Sequence, residues 1–558
     1  MATSSDAQTN NGLVEEKGGR DLKASYLRLL LKVKKKPMKV RMPVRSSSGD
    51  DVTITEVPHL NDPAVDEVEI APVTAPFSFV RIKYDNTASE YLYEVIEPVL
   101  TEDERTFLDI IKQALVMTLN LAQTDALKEK ENILREATDE LMRSMNLSLN
   151  PISKEKLSYY LRRDFIGYGP IDVMMTDPNV EDCSCDGVDI PLFIFHRKYG
   201  SIRSNVKFDN ELDLDSFVVW LAQKCGKHIS VADPLLDATI PDGSRLNATL
   251  GKHVTKRGSS FTIRRFKENP FTPVDLLKFK TMSTDMMAYL WTATEYGSSM
   301  LVCGGTASGK TTTLNAVLLF IPPQMKIVSI EDTRELNLPH ENWIPSLTRE
   351  GFGGKKSSSA GSIDMFELLT TALRQRPQYL MVGEVRGKEA YVVFQAMATG
   401  KTAYSTFHAE DVQAMVHRME NDPINLPRAL LTALDIVLLQ AQVKVGTKMT
   451  RRVKSLTEIV GMDPETGELI TNSVYTWNPA DDTFNYSGHS YVYEKVRTIR
   501  NWSPREMERE VKRRVDILEY MKRSGFDNYR QVAKVISGYY KDPEKVGKEI
   551  REKLQEMS

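Results

Sequence analysis

The chain has 558 residues, 41% of them hydrophobic and 27% charged, and its 73 Lys and Arg stand against 76 Asp and Glu for a net charge of −3. That length exceeds what one hydrophobic core fills, so about three or four units are expected, of ordinary globular composition. The balanced charge excludes a whole-molecule positive field for nucleic acid. No apolar run reaches the roughly 18 residues of a membrane-spanning helix, because the longest, Leu430–Val443, is broken by Asp435 and Gln440.

Residues 1–20 are polar and lack the apolar core of a signal peptide, so a disordered start and a cytoplasmic location are expected. Leu22–Arg45 sets Leu27, Leu29, Leu30, Leu31 and Val33 beside Lys32, Lys34, Lys35, Lys36, Lys39, Arg41 and Arg45. That pattern suits an anionic membrane surface, and equally a solvated basic tail. Ser46–Pro72, with Asp50, Asp51, Glu56, Asp62, Asp66, Glu67 and Glu69, reads as an acidic linker, and folded structure is expected from about Val73. Two short strands then lead into a charged helical stretch, Glu102–Met145, with Phe107, Ile110, Ile111, Ala114 and Leu115 at helical spacing. Residues 73–150 are therefore taken as a helical accessory layer.

Residues 151–268 mix helix and strand, with strands expected at Pro191–Arg197 and Gly258–Phe266 and a helix at Phe217–Cys225, which makes an α+β domain. Cys183 and Cys185, two apart on a strand, share a face. With Cys225 and Cys303 they form neither a C-x-x-C pair nor a Cys/His set at zinc spacing, so reduced structural thiols are expected. Pro270 and Pro273 mark a hinge over residues 269–280. Residues 281–500 open with a helix, Thr284–Tyr296, stopped by Gly297, and the apolar strand Met300–Cys303. In residues 501–558, Ser503, Pro504 and Glu506 announce a helix to about Ser524, with further helices at Tyr529–Tyr540 and Pro543–Met557.

Gly304-Gly305-Thr306-Ala307-Ser308-Gly309-Lys310-Thr311 fits G-x-x-x-x-G-K-[ST], in which successive amides wrap phosphate oxygens and glycine permits close approach. Lys310 is expected at the β- and γ-phosphates of ATP, the Thr311 hydroxyl on Mg²⁺, and the helix that begins at Thr312 aims its positive end at the phosphates. Gln378–Val382 is an apolar strand ending at Gly383-Glu384, where such folds place an acidic residue beside the metal and the attacking water. Lys326–Ile330 likewise empties into Glu331-Asp332-Thr333-Arg334-Glu335, a carboxylate-rich end that can orient water or take its proton. His408, after another strand, is a candidate sensor of the γ-phosphate. Arg245, Arg257, Arg264 and Arg265, all ahead of the hinge, are candidates for the cation that phosphoanhydride cleavage requires.

These segments together resemble the secretion ATPases of type II, type IV pilus and archaellum systems, most closely their archaeal branch, over about residues 80–540. The phosphate loop, the acidic box Ile330–Leu336, and Ala372–Pro377 leading to Gly383–Gly387 carry the resemblance. So do Gln395–Gly400 running to Ser405–Ala409, and Asp182–Gly187, Pro241–Arg245 and Ser259–Phe266 in the preceding domain. It implies an α/β fold: a RecA-like P-loop ATPase domain preceded by an α+β N-terminal domain with a helical accessory layer and followed by a helical tail. It further implies a homo-hexameric ring, cytoplasmic and peripheral at the inner face of the membrane, that works through a polytopic platform protein. Glu335 and Glu384 match the two carboxylates given catalytic work, and Arg245, Arg264 and Arg265 match arginines that complete the site. Thr399-Gly400-Lys401 departs from the family's frequent Thr-Gly-His, which puts a cation where a histidine contact is usual. Leu456–Val496 leans toward the archaellum motor, with a pilus or type II-like secretion ATPase as the alternative. A RecA-like nucleic-acid motor is the rival of another class; the −3 charge speaks against it, and no nucleic-acid partner is expected.

Overall fold

The computed structural model describes residues 54–60, 62–118, 126–145, 149–349, 361–446 and 448–557; the basic stretch Leu22–Arg45 and the polar start lie outside them. The chain divides into two compact units. The first runs to Leu236 and includes Leu246–Arg265, and the second comprises Asp237–Arg245 and Phe266–Ser558.

One sheet, drawn mostly from the first unit, joins β1 (Val65–Thr74), β2 (Ser78–Asp85), β3 (Glu90–Ile96), β4 (Val180–Cys185), β5 (Phe193–His196), β6 (Gly200–Ser204), β7 (Leu235–Thr239), β8 (Arg245–Thr249) and β9 (Ser260–Arg264), in the order β1-β2-β3-β6-β5-β4-β9-β8-β7. Structure begins earlier than Val73, because β1 takes up residues 65–72, the last part of the stretch read as a linker. Its acidic residues Asp66, Glu67 and Glu69 are exposed on an edge strand, where charge is tolerated and discourages further pairing. What holds it is antiparallel pairing with β2, whose Val80 and Ile82 are buried. The helices Glu102–Thr118 and Leu127–Ser144 of the expected accessory layer pack with a third, Pro151–Phe165, around Leu108, Ile111, Leu115, Leu134, Leu157 and Leu161. They group with the α+β sheet and form no unit of their own. Cys183 and Cys185 are both buried on one face of β4; burial pushes their thiols up to about 12 and about 11, so neither supplies a thiolate.

The second unit is built on β10 (Met300–Cys303), β11 (Ile327–Glu331), β12 (Trp343–Leu347), β13 (Tyr379–Glu384), β14 (Thr402–Phe407), β15 (Ile436–Val445), β16 (Lys448–Met462), β17 (Leu469–Asn478) and β18 (Thr483–Tyr486). Their order is β12-β11-β13-β14-β10-β15-β16-β17-β18. From β12 to β15 the pairing is parallel, and from β15 onward antiparallel. The parallel part reads as near-continuous apolar runs because both faces are covered. Met300 and Val302 join Met381, Tyr404 and Leu438 in one core, while Leu301 and Cys303 join Leu380, Val382, Ala403 and Val437 in the other. This is the expected RecA-like layout, with the phosphate loop leaving the carboxyl end of a central strand.

The helices of the expected C-terminal tail are part of this unit. Ile517, Leu518, Met521, Val532, Ile536 and Tyr539 sit in the same core as the helix Thr284–Glu295. Arg514, fully buried on the helix Pro504–Arg523, meets Glu295 at 2.5 Å and Glu510 at 3.1 Å. The start of that helix is as its sequence announces, with Ser503 and Glu506 in a capping box.

Candidate nucleotide site

The phosphate loop is shaped from below by β15. Parallel pairing of β10 with β15 runs as far as Cys303 opposite Leu439. One residue on, a Cβ at Gly304 would lie 2.1 Å from the Gln440 carbonyl oxygen and 2.6 Å from Ser308 Oγ, so only glycine passes. Gly309, at φ 93°, turns the chain into the helix Lys310–Leu318, whose first amides have no intrahelical acceptor and face outward as an anion cradle. Lys310 Nζ donates to the carbonyls of Gly304 at 3.0 Å and Gly305 at 2.8 Å, and Ser308 Oγ donates to Gly305 at 2.9 Å. Burial lowers the Lys310 pKa, and the charge of Glu384 does most to oppose that shift.

Glu384 closes β13. Its Oε2 pairs with Arg386 at 2.5 Å, and its Oε1 lies 2.9 Å from His408 Nε2. The second contact is out of line for a hydrogen bond, so the buried Oε1 is left without a hydrogen-bond partner among the described residues. Burial first, then the neighbouring Lys310, lower the His408 pKa, so this imidazole is neutral at pH 7 and the contact is not an ion pair.

On β11, Glu331 is buried. Its Oε1 accepts the amides of Glu335 and Leu336, both at 3.0 Å, and folds the acidic box back over the strand end. Desolvation raises its pKa to about 7, and its Oε2 has no hydrogen-bond partner among the described residues. Glu335 is exposed, and its charge is felt by both Lys310 and Arg245. Arg245 is clamped by Asp237 (Nε to Oδ1 3.2 Å, NH2 to Oδ2 2.7 Å), which together with Asp332 and Glu335 raises its pKa. The motif before it stays with the second unit, where Ser244 Oγ accepts the Phe266 amide at 3.1 Å.

The structure thus gathers Gly304–Thr311, Glu335, Glu384, His408 and Arg245 into one electrostatic neighbourhood, and does not treat the other expected cations alike. Arg264 is exposed at the end of β9 in the first unit. Arg265 turns inward and donates to the carbonyls of Asp177 and Val180. Lys401 precedes β14, at the opposite end of that strand from His408. At about 3.3 Å per residue the strand holds it away from the phosphate loop, so it does not replace a histidine contact there. Missed from sequence were the part Glu331 plays, turned inward to anchor the acidic box, and Gln440 and Arg451. The Nε of Arg451 donates to the Ala307 carbonyl at 3.0 Å.

These residues fit a nucleotide carrying magnesium. Lys310 and the helix-start amides suit phosphate oxygens, while the Thr311 hydroxyl and the unbonded Glu384 Oε1 suit the metal and its water. Among the described residues no group of three or more His, Cys, Asp or Glu makes a protein-only metal centre. Magnesium beside phosphates needs few protein ligands.

Residues 194–548 match the family described as type II/IV secretion system protein, and residues 48–99 match one described as PilB3-like, N-terminal. The chain is 39% identical over 398 residues to an uncharacterized protein of Methanocaldococcus jannaschii, covering 71% of each. It is 28% identical over 272 residues to Protein VirB11 of Agrobacterium fabrum, covering 43% of this chain and 75% of that one. Among solved structures, the VirB11 ATPase of the Brucella suis type IV secretion system in complex with sulphate aligns at 22% identity, over 51% of this chain and 91% of that one, with a TM-score of 0.27. Among the described residues no helix is long and apolar enough to cross a membrane.

Proposed function

This chain belongs to the type II/IV secretion system protein family, and from that premise we propose that it is an ATP hydrolase that turns phosphoanhydride cleavage into mechanical work. The observation that carries the reading is the convergence of Lys310, Glu384 and Glu335 on one glycine-rich loop. Gly304–Thr312 holds the phosphates, Lys310 offsets their charge, and Thr311 and Glu384 hold the metal. When bound, magnesium supplies positive charge to the phosphate oxygens. Glu384 Oε1, buried and unbonded, is the atom placed to take a proton from the attacking water, with Glu335 orienting it. His408, neutral, is a hydrogen-bonding sensor beside Glu384. Arg245 and Arg264 add the cation of the closed site.

The finer reading is a homo-hexamer on the inner face of the cell membrane, coupled to a polytopic platform protein and driving an archaellum. A pilus or type II-like secretion motor is the second reading, and the PilB3-like stretch at residues 48–99 favours it. Replacing the chromosomal copy with Lys310→Ala separates them: loss of swimming filaments supports the first, and loss of adhesive filaments or secreted protein with swimming intact supports the second. ATP turnover stimulated by DNA or RNA, with no response to acidic liposomes, would instead mark a nucleic-acid motor.

A further inference from the structure

The antiparallel ribbon that extends the RecA-like sheet touches the phosphate loop at two points. At the first, Gln440 is 2% exposed; its carbonyl crowds Gly304, and its Nε2 would meet a Cβ on Gly309 at 3.0 Å. At the second, Arg451 lays its side chain along the loop: its Cδ would meet the same Cβ at 3.1 Å, and its Nε donates to the Ala307 carbonyl. Ala307 is the non-glycine residue of the loop held at φ 58°, a conformation an alanine adopts only under constraint.

Two features of β16 aim Arg451 at the loop. Neighbouring strand residues point to opposite faces. Arg452 is accordingly buried, bound through Nε and NH2 to Asp482 at 2.7 and 2.9 Å, while Arg451 is exposed on the other side. The ladder then shifts from Leu439 opposite Ser455 to Gln440 opposite Val453, a bulge that leaves Lys454 unpaired and bends the ribbon beside the loop.

We propose that Arg451 is a positioning residue of the phosphate-binding loop, which fixes the Ala307 peptide through a charged hydrogen bond and adds positive charge from the same subunit, thereby setting affinity for a nucleoside di- or triphosphate. Resting on the nucleotide-site reading above, it assigns to the ribbon a task that the glycine-rich motif does not contain. A charged donor makes the stronger bond to a carbonyl, and its remaining guanidinium N–H groups make no other hydrogen bond among the described residues. Since the ribbon is held by its strand ladder and by Arg452 on the opposite face, loss of Arg451 is expected to be felt at the loop and not in the stability of the domain.

The test is binding of ADP, followed by calorimetry on the full chain, together with the kcat and KM for ATP and the Tm of each variant. Arg451→Gln keeps a donor without charge and is expected to weaken ADP binding by about tenfold and raise KM similarly, with kcat within about twofold and Tm unchanged. Arg451→Lys, which keeps the charge, is expected to recover most of that loss. ADP affinity of Arg451→Gln equal to wild type would overturn the inference, as would an equal loss in both variants accompanied by a lower Tm, the mark of a merely structural residue. If the wild-type chain itself binds no ADP, the nucleotide-site reading fails, and this inference with it.

Discussion

The buried carboxylate of Glu331 accepts the backbone amide of Glu335 at 3.0 Å, so an acid inside the domain aims the acid outside it. The two differ in environment. Glu331 is 2% exposed, with its pKa raised from 4.5 to about 7 by desolvation, while Glu335 stands in solvent facing Lys310 and Arg245.

That shift has a sign that can be measured. Between pH 4.5 and about 7 the folded chain keeps a proton on Glu331 that the unfolded chain has lost. Stability from this group is therefore present at low pH and declines as pH rises through the window, by on the order of 3 kcal/mol when complete. Glu331→Gln keeps an oxygen for the amides of Glu335 and Leu336 and cannot ionise. Its Tm is expected to fall less than that of wild type between pH 5 and pH 8, read by thermal unfolding. Parallel curves for the two proteins would show that Glu331 does not titrate in this range.

Arg264, exposed at the end of β9, is expected to serve the phosphate loop of a neighbouring subunit. A cation brought from outside the P-loop domain can contribute roughly 10³–10⁵-fold to phosphoryl transfer. Arg264→Ala and Lys310→Ala are each expected to be inactive, and mixed rings of the two should regain part of the activity, measured as phosphate release. Mixed rings that form and stay inactive would assign Arg264 to its own subunit. Arg245 differs from it in being held by Asp237.

Residues 1–45 carry the basic stretch Leu22–Arg45, and each Lys or Arg near an anionic surface contributes about 1 kcal/mol. The full chain is expected to sediment with acidic liposomes, to lose this binding at high salt, and to lose it when residues 1–45 are deleted. Undiminished sedimentation of the shortened chain would place membrane contact elsewhere.

Local chemistry was readable in the sequence; long-range contact was not. The phosphate loop, the capping box at Ser503 and the strand ends at Glu331 and Glu384 are set by neighbours a few residues apart, and all stand where the pattern puts them. Arg264 and Arg265 look alike in sequence, yet one residue of β-strand alternation exposes the first and turns the second onto the carbonyls of Asp177 and Val180. Strand β1 was hidden because an edge strand buries little and can be acidic. Gln440 and Arg451 come to the loop from more than a hundred residues away, through the register of β15 and β16, and no short motif marks them.

If Lys310 and Glu384 serve one ATP-hydrolysing site, the direct measurement is ATP affinity and steady-state phosphate release for wild type, Lys310→Ala and Glu384→Gln side by side. Wild type is expected to turn ATP over. Glu384→Gln should bind ATP with near wild-type affinity while its turnover falls by about a hundredfold or more, since an amide keeps the shape and cannot take a proton. Lys310→Ala should fold but lose turnover, having lost the cation that offsets the phosphates. Phosphate release by Glu384→Gln at the wild-type rate, or by Lys310→Ala above about a tenth of it, would contradict the assignment of this loop and this carboxylate as the catalytic centre.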